Sequence, residues 1–343
     1  MAAAENANAT ITSYHHPLTG NDLKNPLACD VAVLGPEDAD KALIIVSGTH
    51  GVEGYCGSAI QHAWLRQDFT QAWDETLKVV LVHAINPWAM QNNTRTNENN
   101  VDLNRNFASG EYGGSNAAYE TLKPFFYCAK WDATENLRAF LDYRSFLAEQ
   151  DNDLETQLYA GQFTDPRGLF YGGDEPQWSN ITFRQIIKET LHSCRKIGIV
   201  DWHTGLGKFS EIVYLIFHKP NSIEGKEAGR WWGAEKIGRS PFQSGSLPNY
   251  RGLLCQSIRQ ELPSSEIINA VIEFGTGDEL SGFRADRLDR WLRFHGASDP
   301  HRDQIAEDYK DMFFPRDISW RRLVEQEGVS IMNCAVEGLK NWI

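Results

Sequence analysis

An α/β fold with its chemistry at the ends of the strands is what this sequence predicts, and three observations carry the prediction. Four short segments, Ala42 to Ser47, Val79 to Ala84, Ile197 to Trp202 and Ala270 to Phe274, are β-branched and nearly continuous in apolar character, as strands buried on both faces are. Helical apolar spacing recurs between them. Each strand leads into, or carries near its end, side chains able to do chemistry, and open α/β sheets bind ligands at the carboxyl ends of their strands.

In chain order, the first strand runs into Gly48-Thr49-His50-Gly51-Val52-Glu53-Gly54, and Ala59, Ile60, Ala63 and Trp64 then recur at helical spacing. The second precedes Asn86-Pro87 and a polar loop ending Val101-Asp102-Leu103-Asn104-Arg105-Asn106. Residues 109–180 are long and aromatic, with an acidic middle from Glu149 to Glu155. No Pro/Ser linker sets this segment off, so an excursion inserted in a single domain spanning 1–343 is expected. Behind a Ser179 or Asn180 cap, Phe183, Ile186, Ile187 and Leu191 close one helical stripe. The third strand runs into His203-Thr204-Gly205, and the fourth carries Glu273. From Asp299 onward the pattern predicts helices over Ile305 to Phe313 and Ile318 to Gly328, covering a sheet face.

Composition narrows the function classes. The 343 residues carry 46 acidic against 33 basic side chains, a formal net charge of −13, which argues against nucleic acid or an anionic membrane as partner. With 41% hydrophobic residues and 11 Trp the chain is globular in composition. Six cysteines without a C-x-x-C pair predict neither a disulfide framework nor an all-thiolate zinc site. Met1 to Thr10 lacks the regions of a signal peptide, and no apolar run approaches the ~20 residues of a membrane span, so a cytoplasmic location is expected.

His50 and Glu53 stand three apart on a loop entering a helix, where an imidazole and a carboxylate can grip one ion. A third ligand must come from elsewhere, and His203, just past a buried strand, is the best candidate. Two His and one Glu leave a fourth zinc position for water, the pattern of catalytic sites. The plain alternative is a solvated loop, because H-x-x-E alone is a common motif.

The set His50-x-x-Glu53, Arg95, Asp102-Leu103-Asn104-Arg105, Asp201-Trp202-His203-Thr204 and Glu273 resembles the zinc metallocarboxypeptidase family, over about Ala42 to Gly277. It is most similar to a bacterial branch with Ser-Gly-Thr-His-Gly-Val-Glu-Gly and Asp-x-His-Thr-Gly-Leu-Gly. The resemblance implies a mixed, mostly parallel eight-stranded sheet sandwiched by helices. It implies one Zn2+ held by His50, Glu53 and His203, with Glu273 as general base, Arg95 on the oxyanion, Asn104 and Arg105 on a substrate carboxylate, and Asp102 orienting His50. Tyr250, 23 residues before Glu273, matches a mobile family tyrosine loosely, and an ordinary half-buried loop tyrosine is the competing reading. The implied activity is metal-dependent amide hydrolysis of a small peptide. An N-acyl amino acid deacylase, a murein-peptide amidase and an inactive carboxylate-binding relative are the alternatives, and the oligomeric state is not legible.

Other polar residues carry weaker expectations. Asp201 and Glu211 are candidates for a second metal, His15-His16 for a surface pair, and His83 and His218 for structural histidines. Gly168 to Gly173 (GLFYGG) is expected either to wall a substrate cleft or to pack the excursion.

Overall fold

The apolar run at 41–46 has no polar face, yet its side chains still alternate. Leu43 and Ile45 join Val79, Leu81, Val200, Trp202 and Ile268 on one side of the sheet, while Ala42, Ile44 and Val46 join Val80, Val82, Ile197 and Ile199 on the other. The first face is covered by helices Gly54–Leu65 and Ile318–Asn341, through Ile60, Trp64, Trp320, Val324, Met332 and Leu339. The second is covered by helix Trp178–Thr190 through Phe183, Ile186 and Ile187. Each such fully buried aliphatic side chain stabilises the fold by roughly 1.5–3 kcal/mol relative to exposure.

The computed structural model describes all residues except 20–25, 68–75, 109, 111, 151–152, 243–244, 246 and 343. It has the mixed α/β architecture expected, with seven strands among the described residues where eight were anticipated. They are β1 (Thr10–His15), β2 (Ala28–Leu34), β3 (Lys41–Val46), β4 (Leu77–His83), β5 (Lys196–Thr204), β6 (Ile212–Ile216) and β7 (Glu266–Phe274), ordered β1-β2-β4-β3-β5-β7-β6. The central β4, β3, β5 and β7 run parallel, and the flanking pairings are antiparallel. From β3 the chain goes to β4 on one side and returns to β5 on the other. That reversal opens a crevice at the carboxyl end of β3, where His50 follows.

Within 109–180 lie helices Ala117–Phe126, Ala133–Ala148 and Asp153–Leu158; Ser109 itself is outside the described residues. Their cluster of Tyr119, Leu122, Phe126, Tyr143, Leu158 and Phe170 packs on Phe283 of helix Glu279–Phe294. No helix among the described residues is long and apolar enough to cross a membrane.

One glycine sets the entry to the site. A Cβ on Gly51 would lie 2.2 Å from the Ala89 carbonyl carbon and 2.3 Å from the Met90 nitrogen, both backbone atoms that cannot rotate away. Gly51→Ala is therefore expected to destabilise the fold by about 3 kcal/mol, at the upper end of overpacking costs, read as a lower urea midpoint. An unchanged midpoint would show that this backbone contact is not required.

Candidate metal centre and active site

The 3-10 turn Gly51–Glu53 follows His50 directly, and His50 itself is extended (φ −100°, ψ 109°). The turn brings both side chains to one side. His50 Nδ1 lies 3.0 Å from Glu53 Oε1, and His203 Nδ1 lies 2.8 Å from Glu53 Oε2. The two imidazole centroids are 4.7 Å apart at 71°. One ligand atom from each of His50, Glu53 and His203 falls within 4.8 Å of the others, and all three residues are buried. The structure thus brings the three expected ligands together.

Each imidazole is held from behind by a second carboxylate. His50 Nε2 is 3.0 Å from Asp102 Oδ1, and His203 Nε2 is 2.8 Å from Asp201 Oδ2. An imidazole that donates its Nε2–H to a carboxylate keeps the Nδ1 lone pair for a cation, and the acceptor raises the ring's basicity. Asp201 and His203 share a sheet face because they are two apart on β5, while Trp202 between them enters the opposite core. Asp201 also accepts from Thr49 Oγ1 at 2.7 Å and Asn104 Nδ2 at 3.2 Å. It therefore orients His203 instead of serving a second ion, and among the described residues His50, Glu53 and His203 form the one metal-competent cluster.

Asp102 does more than orient His50. It caps the turn Leu103–Asn106 by accepting from Asn104 N at 2.9 Å, and it accepts from Arg95 Nε and Nη2 at 3.3 and 3.1 Å. Arg95 Nη1 donates to Glu53 Oε1 at 3.2 Å. Burial pushes the Asp102 and Glu53 carboxyls up, but Arg95 and His50 beside Asp102, and His50 and His203 beside Glu53, outweigh it and hold both well below the usual range. Burial lowers His203, but Asp201 and Glu53 drive it well above an ordinary imidazole.

Glu273 pairs with His203 in the parallel β5/β7 register, so both project from the same sheet face. It is half-buried, and its Oε2 accepts a long bond of 3.4 Å from Leu206 N. Burial, followed by the negative charge of Glu53, pushes its carboxyl up to about 7.

Beyond this centre, Arg105 donates Nη1 to Asn104 O (2.8 Å) and Nη2 to Tyr159 O (2.6 Å), and its guanidinium carbon lies 4.7 Å from the Tyr250 ring centroid. Tyr250 thus packs on Arg105, and burial raises its hydroxyl pKa above the ordinary phenol value. Asn104 donates Nδ2 to Asp201 Oδ2 at 3.2 Å and accepts from the Leu254 N–H through Oδ1 at 2.9 Å, so its amide is already engaged within the protein. Phe170, with φ 54°, is buried against both arginines: the guanidinium carbons of Arg95 and Arg105 lie 5.6 and 5.7 Å from its ring centre. The same ring packs on Tyr159 at 5.3 Å, so GLFYGG packs the excursion. Nothing in the sequence marked Tyr159.

Three other histidines lie outside this centre. His16 is not on the surface: it is buried 3.3 Å from Glu98 and edge-on to Trp178. His83 bonds Ser58 Oγ and His218 accepts from Asn269 N, both structural roles.

Several solved structures are similar in fold to this chain. The metallo-carboxypeptidase from Burkholderia cenocepacia is 13% identical, with 95% of this chain and 68% of that one covered at a TM-score of 0.45. The carboxypeptidase A from Helicoverpa armigera is 10% identical, with 90% and 70% covered and a TM-score of 0.43. The murein-tripeptide amidase MpaA from Escherichia coli O157 is 17% identical, with 88% and 91% covered and a TM-score of 0.39. No curated protein sequence matches the chain. A family model described as "Protein of unknown function (DUF2817)" matches residues 1–327, and with nearly the whole sequence spanned the chain belongs to that family.

Proposed function

We propose that this protein is a zinc-dependent hydrolase of amide bonds, of the metallocarboxypeptidase type, acting on a small peptide or amino-acid derivative with a free carboxylate. The observation that carries this reading is the double support of the ligand set: two imidazoles present Nδ1 to one carboxylate while Asp102 and Asp201 hold their Nε2 atoms. A buried donor set of two nitrogens and one carboxylate fits Zn2+ with a position left for water. Zinc held by His50, Glu53 and His203 would supply Lewis acidity, lowering the pKa of water and polarising a carbonyl.

The remaining steps belong to the chain. Glu273, at the strand end beside the ligands, accepts a proton from the attacking water on a carboxylate oxygen and delivers it to the departing nitrogen. Arg95 commits three of its five N–H bonds to Asp102 and Glu53, and the other two are available to a carbonyl oxygen gaining negative charge. Arg105, set between Tyr250 and Phe170, receives the substrate carboxylate.

The test is hydrolysis of C-terminal peptides and N-acyl amino acids before and after chelation. Activity that disappears with the chelator and returns with zinc supports the proposal; activity indifferent to chelation contradicts it. Asp201→Asn is expected to weaken zinc affinity about 10- to 100-fold in a chelator competition, as loss of an outer-sphere partner does. Equal affinity would remove Asp201 from the account.

A further inference from the structure

Arg95 and Asp102 stand at the two ends of a loop with neither helix nor strand between them, so their placement depends on what holds residues 96–101. At its start the loop is tied to the metal-ligand turn: Gly51 N donates to Arg95 O at 3.4 Å and Val52 N to Thr94 O at 3.0 Å. Inside, it closes on itself, with Asn100 N donating to Asn97 O at 3.0 Å and Val101 N to Asn97 Oδ1 at 2.8 Å. Arg95 and Asp102 also bond to each other across it, so a loop that relaxes shifts both.

The outer side of the loop is gripped by one helix, Glu279–Phe294. Arg293 donates Nη2 to Asn97 O at 2.6 Å and to Glu98 O at 2.8 Å, and Nη1 to Thr96 Oγ1 at 3.3 Å. Its guanidinium carbon lies 5.4 Å from the centroid of the Trp88 ring. Trp88 belongs to helix Pro87–Gln91, whose Ala89 and Met90 backbone leaves no room for a Cβ on Gly51. One planar cation thus joins the indole beside the metal-ligand turn to three oxygens of the loop, a geometry that a guanidinium fork can satisfy and an ammonium cannot. One turn earlier, Arg290 donates Nη1 to Asn100 Oδ1 at 2.8 Å, and Asp289 Oδ1 accepts from Arg95 N at 3.5 Å.

We propose that Arg293 is a positioning residue for the hydrolytic reaction. It acts through the loop, keeping the free N–H groups of Arg95 aimed at the carbonyl oxygen and the Asp102 carboxylate behind His50. This rests on the reading of the protein as a zinc-dependent amide hydrolase.

The test compares Arg293→Ala and Arg293→Lys with the unaltered protein on whichever C-terminal peptide or N-acyl amino acid the latter hydrolyses fastest, at a temperature where urea unfolding shows each to be fully folded. Arg293→Ala is expected to lower kcat about 100-fold with KM within about threefold, the loss that a misplacement of about 1 Å remote from the chemistry produces. Its zinc affinity in a chelator competition is expected to fall about tenfold, the lower end for disturbing a carboxylate behind a ligand imidazole. Arg293→Lys keeps the cation without the fork, so both readouts should lie between, and it carries the test if the alanine variant does not fold. Variants that lose stability yet keep the kcat and zinc affinity of the unaltered protein would reduce Arg293 to packing and overturn the inference. A change in one readout without the other would overturn it too, because the loop carries both Arg95 and Asp102. Hydrolysis by the unaltered protein that ignores the chelator would instead sink the hydrolase reading.

Discussion

Glu273→Gln is expected to lower kcat about 10^3-fold on any substrate the protein hydrolyses, within the ~10^2–10^4 range for a lost general base, while leaving zinc content unchanged. The amide keeps the shape of the side chain and can still accept from Leu206 N, but it cannot take a proton from water. The carboxyl works only when ionised, so kcat/KM of the unaltered enzyme rises with pH along an acid limb. Burial and Glu53 set this group near 7 without a cation, and a dication beside it moves the limb lower. The residual activity of Glu273→Gln should lack that limb. A residual rate within about tenfold of the original would assign proton transfer to another group.

Asp102→Ala is expected to lower stability strongly. The side chain is fully buried and meets His50 Nε2, two nitrogens of Arg95 and the Asn104 N–H. Its removal leaves the Arg95 guanidinium with Glu53 as its remaining carboxylate and the turn Leu103–Asn106 without its cap. Breaking a buried pair costs ~3–5 kcal/mol, and because the Arg95 side chain is 17% exposed the loss should fall at the lower end, about 3 kcal/mol. Urea unfolding of chelator-treated protein at neutral pH measures it. The pH dependence gives an internal check. The folded carboxyl is held below its ordinary value of 3.8, so its contribution is complete above that pH and is lost as pH falls through the folded value. The gap between Asp102→Ala and the unaltered protein should therefore narrow in acid, and a constant gap would mean that the carboxylate's charge is not what stabilises the site.

The central strands were legible because they are buried on both faces and therefore read as unbroken apolar runs. Lys41–Val46 and Leu77–His83 fall within two residues of expectation at each end. The outer strands were not. In β1, Thr10–His15, no residue is fully buried, and its polar run TITSYH looks like a loop. Tertiary packing also extended the last helix to Asn341, because Ile331, Met332, Ala335 and Leu339 cover the sheet beyond Gly328.

At the site, the ligands were legible because two of them sit three residues apart and the third follows a strand. The partners that hold them were only half visible. Asp102 was expected behind His50, but Asp201 was read as a metal ligand, since spacing alone does not tell which ring nitrogen a carboxylate faces. Tyr159 comes from a segment with no recognisable motif and meets Arg105 only through the packing of the 109–180 excursion on helix Glu279–Phe294.

The claim on which the account turns is that His50, Glu53 and His203 hold one divalent cation. Metal analysis of the protein purified without added metal, beside His203→Ala prepared identically, tests it most directly. The account predicts about one zinc per chain in the first and about tenfold less or lower in the second, as loss of one of three protein ligands requires. Equal metal in both, or none in the unaltered protein even after incubation with zinc, would contradict it.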